Sequence, residues 1–164
     1  MFRTSGFVKA TRADSIGAAG GLSVGWKKEA NMSLVVSCNN YVVLLVRKYN
    51  GRLWYLVFFY GAPCSKERDS VLTSLEECLC NLEYPFLIIG DFNQVKYACD
   101  KLSLNENKIS GAYEFNNWKL RNELLDIPFK GPRFTWCNNR KDEKRVYERI
   151  DKALGIEGLV YNLP

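Results

Sequence analysis

The chain has 164 residues, 47% hydrophobic and 25% charged, with a net charge of +5 and no histidine. That composition excludes a disordered chain, supports a core of ordinary size, and fits one domain or part of one. The charge is compatible with a polyanionic partner without establishing one, and no apolar run is long enough to span a bilayer, so a soluble protein is expected. Six cysteines (Cys38, Cys64, Cys78, Cys80, Cys99, Cys137) lack both a C-x-x-C spacing and a histidine partner. They argue against a structural zinc and read as reduced thiols of an intracellular protein.

Residues 1–21 are poor in acids and carry Arg3, Lys9 and Arg12, as transit peptides do, but lack the apolar core of a secretory signal. Gly17-Ala18-Ala19-Gly20-Gly21 leads into Leu22-Ser23-Val24-Gly25-Trp26, an alternating run that predicts a strand entered through flexible glycines. Trp26-Lys27-Lys28 follows Gly25 where a phosphate-cradling loop needs Lys-Ser/Thr, so that motif is rejected. The runs 34–38, 41–48 and 52–61 are rich in Val, Leu, Tyr and Phe. Asn50-Gly51 between the last two predicts an antiparallel hairpin closed by a tight primed turn. Gly61-Ala62-Pro63 ends the hairpin, and Ser65 is placed to cap a helix running to about Leu82. Val71, Leu72, Leu75, Cys78, Leu79 and Leu82 make one apolar stripe that covers a sheet, with Lys66, Glu67, Arg68, Asp69, Glu76 and Glu77 elsewhere.

The stretch Pro85-Phe86-Leu87-Ile88-Ile89-Gly90-Asp91-Phe92-Asn93-Gln94 organises the rest. Its apolar run is what a strand covered on both faces requires, and it delivers Asp91 to the strand's carboxyl end, the edge where α/β sheets bind ligands. If the backbone stays extended, Asp91 and Asn93 point the same way and aim an anionic oxygen and an amide at one ligand, an arrangement for handling water and phosphate. The plainer alternative is an aspartate capping a turn, with Asn93 as an Asx-turn former. Residues 94–112 read as a long surface loop. Residues 113–125 read as a helix with Phe115, Trp118, Arg121 and Leu125 on one face, stopped by Asp126-Ile127-Pro128. The runs 133–137 and 146–154 flank a polar loop and predict a second hairpin. Period two puts Tyr147, Arg149, Asp151 and Ala153 on one face, and Val146, Glu148, Ile150, Lys152 and Leu154 on the other. The shared face of Arg149 and Asp151 reads either as an ion pair on a solvated strand or as chemistry. Arg140-Lys141-Asp142-Glu143-Lys144-Arg145 reads as a solvated turn or a diluted basic contact for nucleic acid.

Five motifs stand in order: Gly20-Gly21-Leu22 with Trp26-Lys27; Phe59-Tyr60-Gly61-Ala62-Pro63; Ile89-Gly90-Asp91-Phe92-Asn93; Phe134-Thr135-Trp136-Cys137-Asn138-Asn139-Arg140; and Glu148-Arg149-Ile150-Asp151-Lys152-Ala153-Leu154. Together they resemble the endonuclease/exonuclease/phosphatase superfamily, specifically the apurinic-type endonuclease domain of plant LINE-type, non-LTR retrotransposons, over about residues 17–154. The resemblance implies one domain across 1–164, with 1–16 undefined. Its fold class would be α+β, a partial four-layer α/β sandwich of the DNase I-like type, with two mixed β-sheets flanked by helices. It further implies a magnesium-dependent phosphodiesterase that cleaves DNA, nuclear if functional.

By the same resemblance, Asp91 matches the aspartate that orients the attacking water, and Asn93 the amide that binds the scissile phosphate and helps hold that aspartate. Tyr60 matches the tyrosine that donates to the phosphate, and Asp151 the aspartate that orients a catalytic histidine. Trp136 and Arg149 read as scaffold. The family also has a strand ending in Trp-Asn, a second strand ending in a metal-binding Glu, and a later Ser-Asp-His segment, none of which occurs in these residues. Glu29, Glu67 and Glu148 stand in other contexts, and the metal ligands are unassigned. A domain truncated at both ends, inactive and with open sheet edges and inner faces, is therefore expected. The alternatives are a non-catalytic nucleic-acid-binding remnant, and an enzyme completed by a second chain.

Overall fold

The computed structural model describes residues 9–13, 21–48, 50–104 and 109–160. β1 (Lys9–Ala13) pairs antiparallel with β2 (Leu22–Trp26); the glycine-rich approach expected at 17–20 lies outside the described residues. β3 (Met32–Ser37), β4 (Tyr41–Arg47) and β5 (Leu53–Tyr60) form an antiparallel meander from runs of branched and aromatic side chains that suit a pleated surface. The β4–β5 turn is one residue longer than a primed two-residue turn. Lys48 and Arg52 close it, and Gly51, at φ 80°, takes the left-handed position that a Cβ would penalise.

α1 (Ser65–Leu79) buries Leu72, Leu75 and Leu79 on the stripe that the spacing predicts. Its N-cap is Cys64 rather than Ser65, without a side-chain cap, and Leu82 joins the core from the turn beyond the helix. The helix returns the chain to β6 (Phe86–Asp91), which runs parallel to β5. The strands approach so closely there that a Cβ on Gly90 would lie 2.0 Å from the Phe59 carbonyl oxygen.

Four expectations change in the second half of the chain. Residues 94–112 are not simply a surface loop. Gln94 and Val95 are buried, and a 3-10 turn at Ala98–Asp100 leads into β7 (Lys101–Ser103). α2 (Ala112–Arg121) stops short of Leu125, because Glu123 turns to φ 54° and β8 (Leu124–Asp126) joins a sheet edge instead. Phe115 and Trp118 are buried as expected, whereas Arg121 meets Glu76 on the surface at 3.1 Å and Leu125 is exposed.

The second hairpin forms, with Trp136–Cys137 and Val146–Glu148 pairing antiparallel across the polar loop, but the run 146–154 is not one strand. β9 (Trp136–Cys137) and β10 (Val146–Glu148) form a three-stranded sheet with β7, while β11 (Asp151–Ile156) inserts between β6 and β8. Arg149 and Ile150 carry the chain between sheets, which breaks the alternation and separates Arg149 from the face of Asp151. α3 (Glu157–Val160) follows and buries Leu159.

The main sheet has the order β3-β4-β5-β6-β11-β8 and is mixed, since β5 and β6 are parallel and its other pairs antiparallel. With its helices and smaller antiparallel sheets it makes the α+β, DNase I-like architecture. One face carries Tyr41, Val43, Val57, Phe59, Ile88 and Leu154 against α1 and α2. The other packs Val42, Leu44 and Phe58 against Val24 and Trp26 of β2. β6 was expected to be covered on both faces, yet only Ile88 is fully buried; Leu87 and Ile89, on the face β2 covers over β4 and β5, are half-buried. No helix among the described residues is long and apolar enough to cross a membrane.

Phe92 closes the helical side. It is 1% exposed and touches Phe59 (ring centroids 4.8 Å), Phe115 (5.5 Å) and Trp118 (6.4 Å), while the Trp118 indole donates to the Leu72 carbonyl at 3.2 Å. Removing such a ring leaves a cavity that neighbours from β5 and α2 cannot collapse into. Phe92→Ala is expected to lower unfolding free energy by about 3–5 kcal/mol, read as a drop in urea midpoint at unchanged slope.

Candidate active site

The parallel pairing of β5 with β6 sets Tyr60 opposite Asp91, and the antiparallel pairing of β6 with β11 sets Asp91 opposite Asp151. Directly opposed residues project from the same face, so phenol, carboxylate and carboxylate form a row on three neighbouring strands, each step about 4.8 Å. The row lies on the sheet face opposite the α1–α2 core, at the carboxyl ends of β5 and β6. Backbone bonds extend the ladder past it: Gly61 N–H to the Asp91 carbonyl (2.7 Å), and Phe92 N–H to the Ile150 carbonyl (3.0 Å).

Asn93 joins this group by the turn geometry rather than by an extended backbone. It sits at φ 49°, and its main-chain N–H donates to Asp91 Oδ1 at 2.7 Å, which is an Asx turn. Its side-chain Nδ2 donates to the Gly61 carbonyl at 2.8 Å and so ties the β6 end to the β5 end. The aspartate is thus held by the peptide of Asn93, and the amide side chain keeps its Oδ1 and one N–H clear of protein partners among the described residues.

Burial pushes the Asp91 carboxyl above its ordinary value. The Asn93 N–H opposes that rise, and the Asp151 carboxylate adds to it. Two carboxylates in adjacent register resist simultaneous ionisation, the usual route by which an acid is tuned toward proton transfer. Lys152 and Arg68 partly offset the repulsion.

Four supporting residues were not singled out for the site from sequence. Arg68, in the first turns of α1, donates from Nε to the Ala62 carbonyl (3.1 Å), from Nη2 to the Pro63 carbonyl (3.0 Å), and from Nη1 to Gln94 Oε1. Gln94, 3% exposed, in turn donates to the Ser110 carbonyl at 2.9 Å. Asn40 exchanges bonds with Tyr60, accepting from its N–H at 2.7 Å and donating Nδ2 to its carbonyl at 2.9 Å. Thr135 Oγ1 accepts from the N–H groups of Ile150 and Asp151, both at 3.2 Å, and so fixes where β11 starts. A sequence signal exists only for Gln94, which ends the stretch Pro85–Gln94, and for Thr135, inside the motif Phe134–Arg140. Arg68 looked like one of six polar residues on a solvated helix face.

A cleft of about 270 Å³ beside the row is lined by Arg68, Asn93, Gln94, Lys101, Ser110 and Glu148. Glu148 faces this cleft but pairs with Lys101 at 3.5 Å. Among the described residues no three Asp, Glu, Cys or His side chains come together to hold a metal ion. Magnesium keeps waters and takes carboxylate and phosphate oxygens in near-octahedral geometry, and the Asp91–Asp151 pair alone does not make a resident site for it.

No protein-family model matches the sequence, and no curated protein does. Solved structures do match in fold. The endonuclease domain of TRAS1, a telomere-specific non-LTR retrotransposon, superposes with a TM-score of 0.70 over 93% of this chain and 68% of that one, at 15% identity. The 3′ phosphatase NExo from Neisseria, bound to a product DNA hairpin, gives 0.66 over 99% of this chain and 71% of that one, at 14% identity. The human Nocturnin catalytic domain with a bound sulfate gives 0.55 over 95% and 63%, at 12% identity. What the chain shares with them is the fold of the endonuclease/exonuclease/phosphatase superfamily.

A carboxyl whose folded pKa is raised favours folding only while protonated, and that contribution is lost as pH rises through the folded value. Ionised Asp91 therefore weakens the fold at neutral pH. Asp91→Asn, which keeps the acceptor for Asn93 N–H, is expected to raise Tm at pH 7. The gain should fade below the ordinary carboxylate value of 3.8, where Asp91 is protonated in both states. Thermal denaturation of both proteins at pH 7 and pH 3 reads the difference.

Proposed function

We propose that this chain carries the phosphate- and water-facing part of a phosphodiesterase site of the retrotransposon endonuclease type, and that by itself it does not cleave DNA. The observation that carries this reading is the single row of Tyr60, Asp91 and Asp151 across β5, β6 and β11. A phenol donates to a phosphate oxygen, and a carboxylate of raised pKa accepts the proton of an attacking water. Asn93, pinned through Gly61 and the Asx turn, presents its remaining amide donor and acceptor beside them.

What the row lacks is equally chemical. Cleavage builds negative charge on the phosphoryl oxygens and on the leaving oxygen, which needs cationic or acidic groups aimed at it. The sequence contains no histidine, so no imidazole can donate to the leaving group, and Asp151 has no imidazole to orient. A phosphodiester brought against two ionised carboxylates is repelled unless a cation intervenes. Magnesium, when recruited together with substrate phosphate, would supply that charge. Absence of one such stabilising group costs roughly 10²–10⁴ in rate, and two together leave little turnover.

The test is nicking of supercoiled plasmid in magnesium buffer by the wild-type chain and by Asp91→Ala. The expected result is no nicking that depends on Asp91. Nicking that Asp91→Ala abolishes would overturn the inactive reading and favour an enzyme completed by a second chain.

A further inference from the structure

On the other side of β11 from Asp151, a second cavity of about 320 Å³ opens among Lys96, Tyr97, Asp100, Asp126, Phe129, Arg149 and Lys152. Strand alternation sends Lys152 to the face opposite Asp151. Its ammonium is buried, 7% of the residue being exposed, and makes one hydrogen bond, to the Arg149 carbonyl at 2.7 Å. No carboxylate lies within ion-pair distance of it among the described residues, so two of its three protons have no protein acceptor. The Arg149 guanidinium carbon lies over the Phe129 ring, 3.5 Å from the centroid, and none of the guanidinium donors has a protein acceptor among the described residues. A buried ammonium and a stacked, unspent guanidinium facing one cavity leave donors without acceptors, an arrangement whose cost an oxyanion would relieve.

The acids in the cavity do not cancel this. Asp126 is taken up by Lys96 and by Lys119 of α2, and Asp100 attracts Lys152 without bonding to it. Lys96, Arg149 and Lys152 against Asp100 and Asp126 leave a lining charge of +1. Tyr97, 52% exposed, flanks the cationic end; the Lys96 ammonium lies over one face of its ring, 4.3 Å from the centroid, so only the opposite face is left to a base, and the volume is at the lower bound of small-ligand sites. We propose that this cavity binds a nucleoside phosphate, with the phosphate on Lys152 and Arg149 and the base against Tyr97, as a subsite separate from the Asp91 row. The planar fork of Arg149 suits a phosphate, and aromatic stacking accepts any base.

Burial lowers the Lys152 pKa to about 8, Asp100 opposing and Arg149 reinforcing that shift. Lys119, behind Asp126, is also lowered to about 8, mainly by burial. An anion on Lys152 favours its charged form, so affinity should fall as pH rises from 7 to 9, and that fall should vanish in Lys152→Met if Lys152 rather than Lys119 is responsible.

Isothermal titration calorimetry of the full chain with deoxyadenosine 5′-monophosphate, inorganic phosphate, deoxyadenosine and a short single-stranded oligonucleotide tests the assignment. The nucleotide should bind more tightly than phosphate, and the nucleoside least. Lys152→Met and Arg149→Gln should each weaken nucleotide binding by about tenfold or more, the scale of a lost charged hydrogen bond. Tyr97→Ala should weaken the nucleotide but not phosphate, and Asp91→Ala should leave both unchanged. Oligonucleotide binding displaced by the mononucleotide would identify a strand as the source of the phosphate; its absence with nucleotide bound would identify a free nucleotide. No heat with nucleotide or oligonucleotide at millimolar concentration would overturn the proposal. So would binding that Asp91→Ala abolishes, or that neither Lys152→Met nor Arg149→Gln weakens. Arg149 and Tyr97 lie at the surface side of the cavity, so their variants carry the test should Lys152→Met disturb folding.

Discussion

Phe92 stands just past β6, between Asp91 and Asn93, and its burial is the constraint from which the rest of the site follows. The ring is driven into a pocket of Phe59, Phe115 and Trp118, three aromatic side chains from β5 and α2. A side chain buried on one face of a strand sends its predecessor to the other, so Asp91 is turned away from the helices to the face shared with Tyr60 and Asp151. The residue after Phe92 lies beyond the strand. It turns to φ 49°, where the Asn93 peptide closes on the Asp91 carboxylate. Hydrophobic burial thus fixes the direction of a charge.

β11 separates two environments of opposite character. On one face Asp151 stands opposite Asp91, and like charges in register raise the energy of the ionised pair. On the other, Lys152 is held in a desolvated position with a single carbonyl for company. Consecutive residues on one strand can hold such different chemistry because period two places them about a sheet thickness apart. The side-chain bonds from Asn40, Thr135 and Asn93, and two of the three from Arg68, end on main-chain atoms of the strand termini and their turns. The positions of Tyr60, Asp91 and Asp151 are therefore set mainly by rigid elements, with the Asp91 carboxylate also held by the Asn93 N–H.

Local chemistry and tertiary pairing divide the chain's structure between them in an instructive way. The hairpin around Gly51, the apolar stripe of α1 and the strand before Gly90 are local patterns, and they form where the residues indicate. The end of α2 could not be read locally, because 122–126 keeps a helical spacing of apolar residues while its backbone finds partners on β11. The break at Arg149 and Ile150 is of the same kind: residues 146–154 contain no glycine or proline to mark it, yet β10 and β11 pair with different strands. Of the two readings open for Asp91 and Asn93, the turn geometry is what forms, and it joins Asn93 to the row without an extended backbone.

The amino-acid sequence by itself determined the hairpin around Gly51, the apolar stripe of α1, that Gly90 and Asp91 end a strand, and that the residues include no histidine. Each of these depends on residue identity and near-neighbour spacing. Only the tertiary structure decided that Tyr60, Asp91 and Asp151 share a row, that Arg68 belongs to the site's support, and that Lys152 and Arg149 face a common cavity. Those facts depend on register between strands remote in sequence, which is chosen by how Phe92, Ile88 and Leu154 pack beneath the helices.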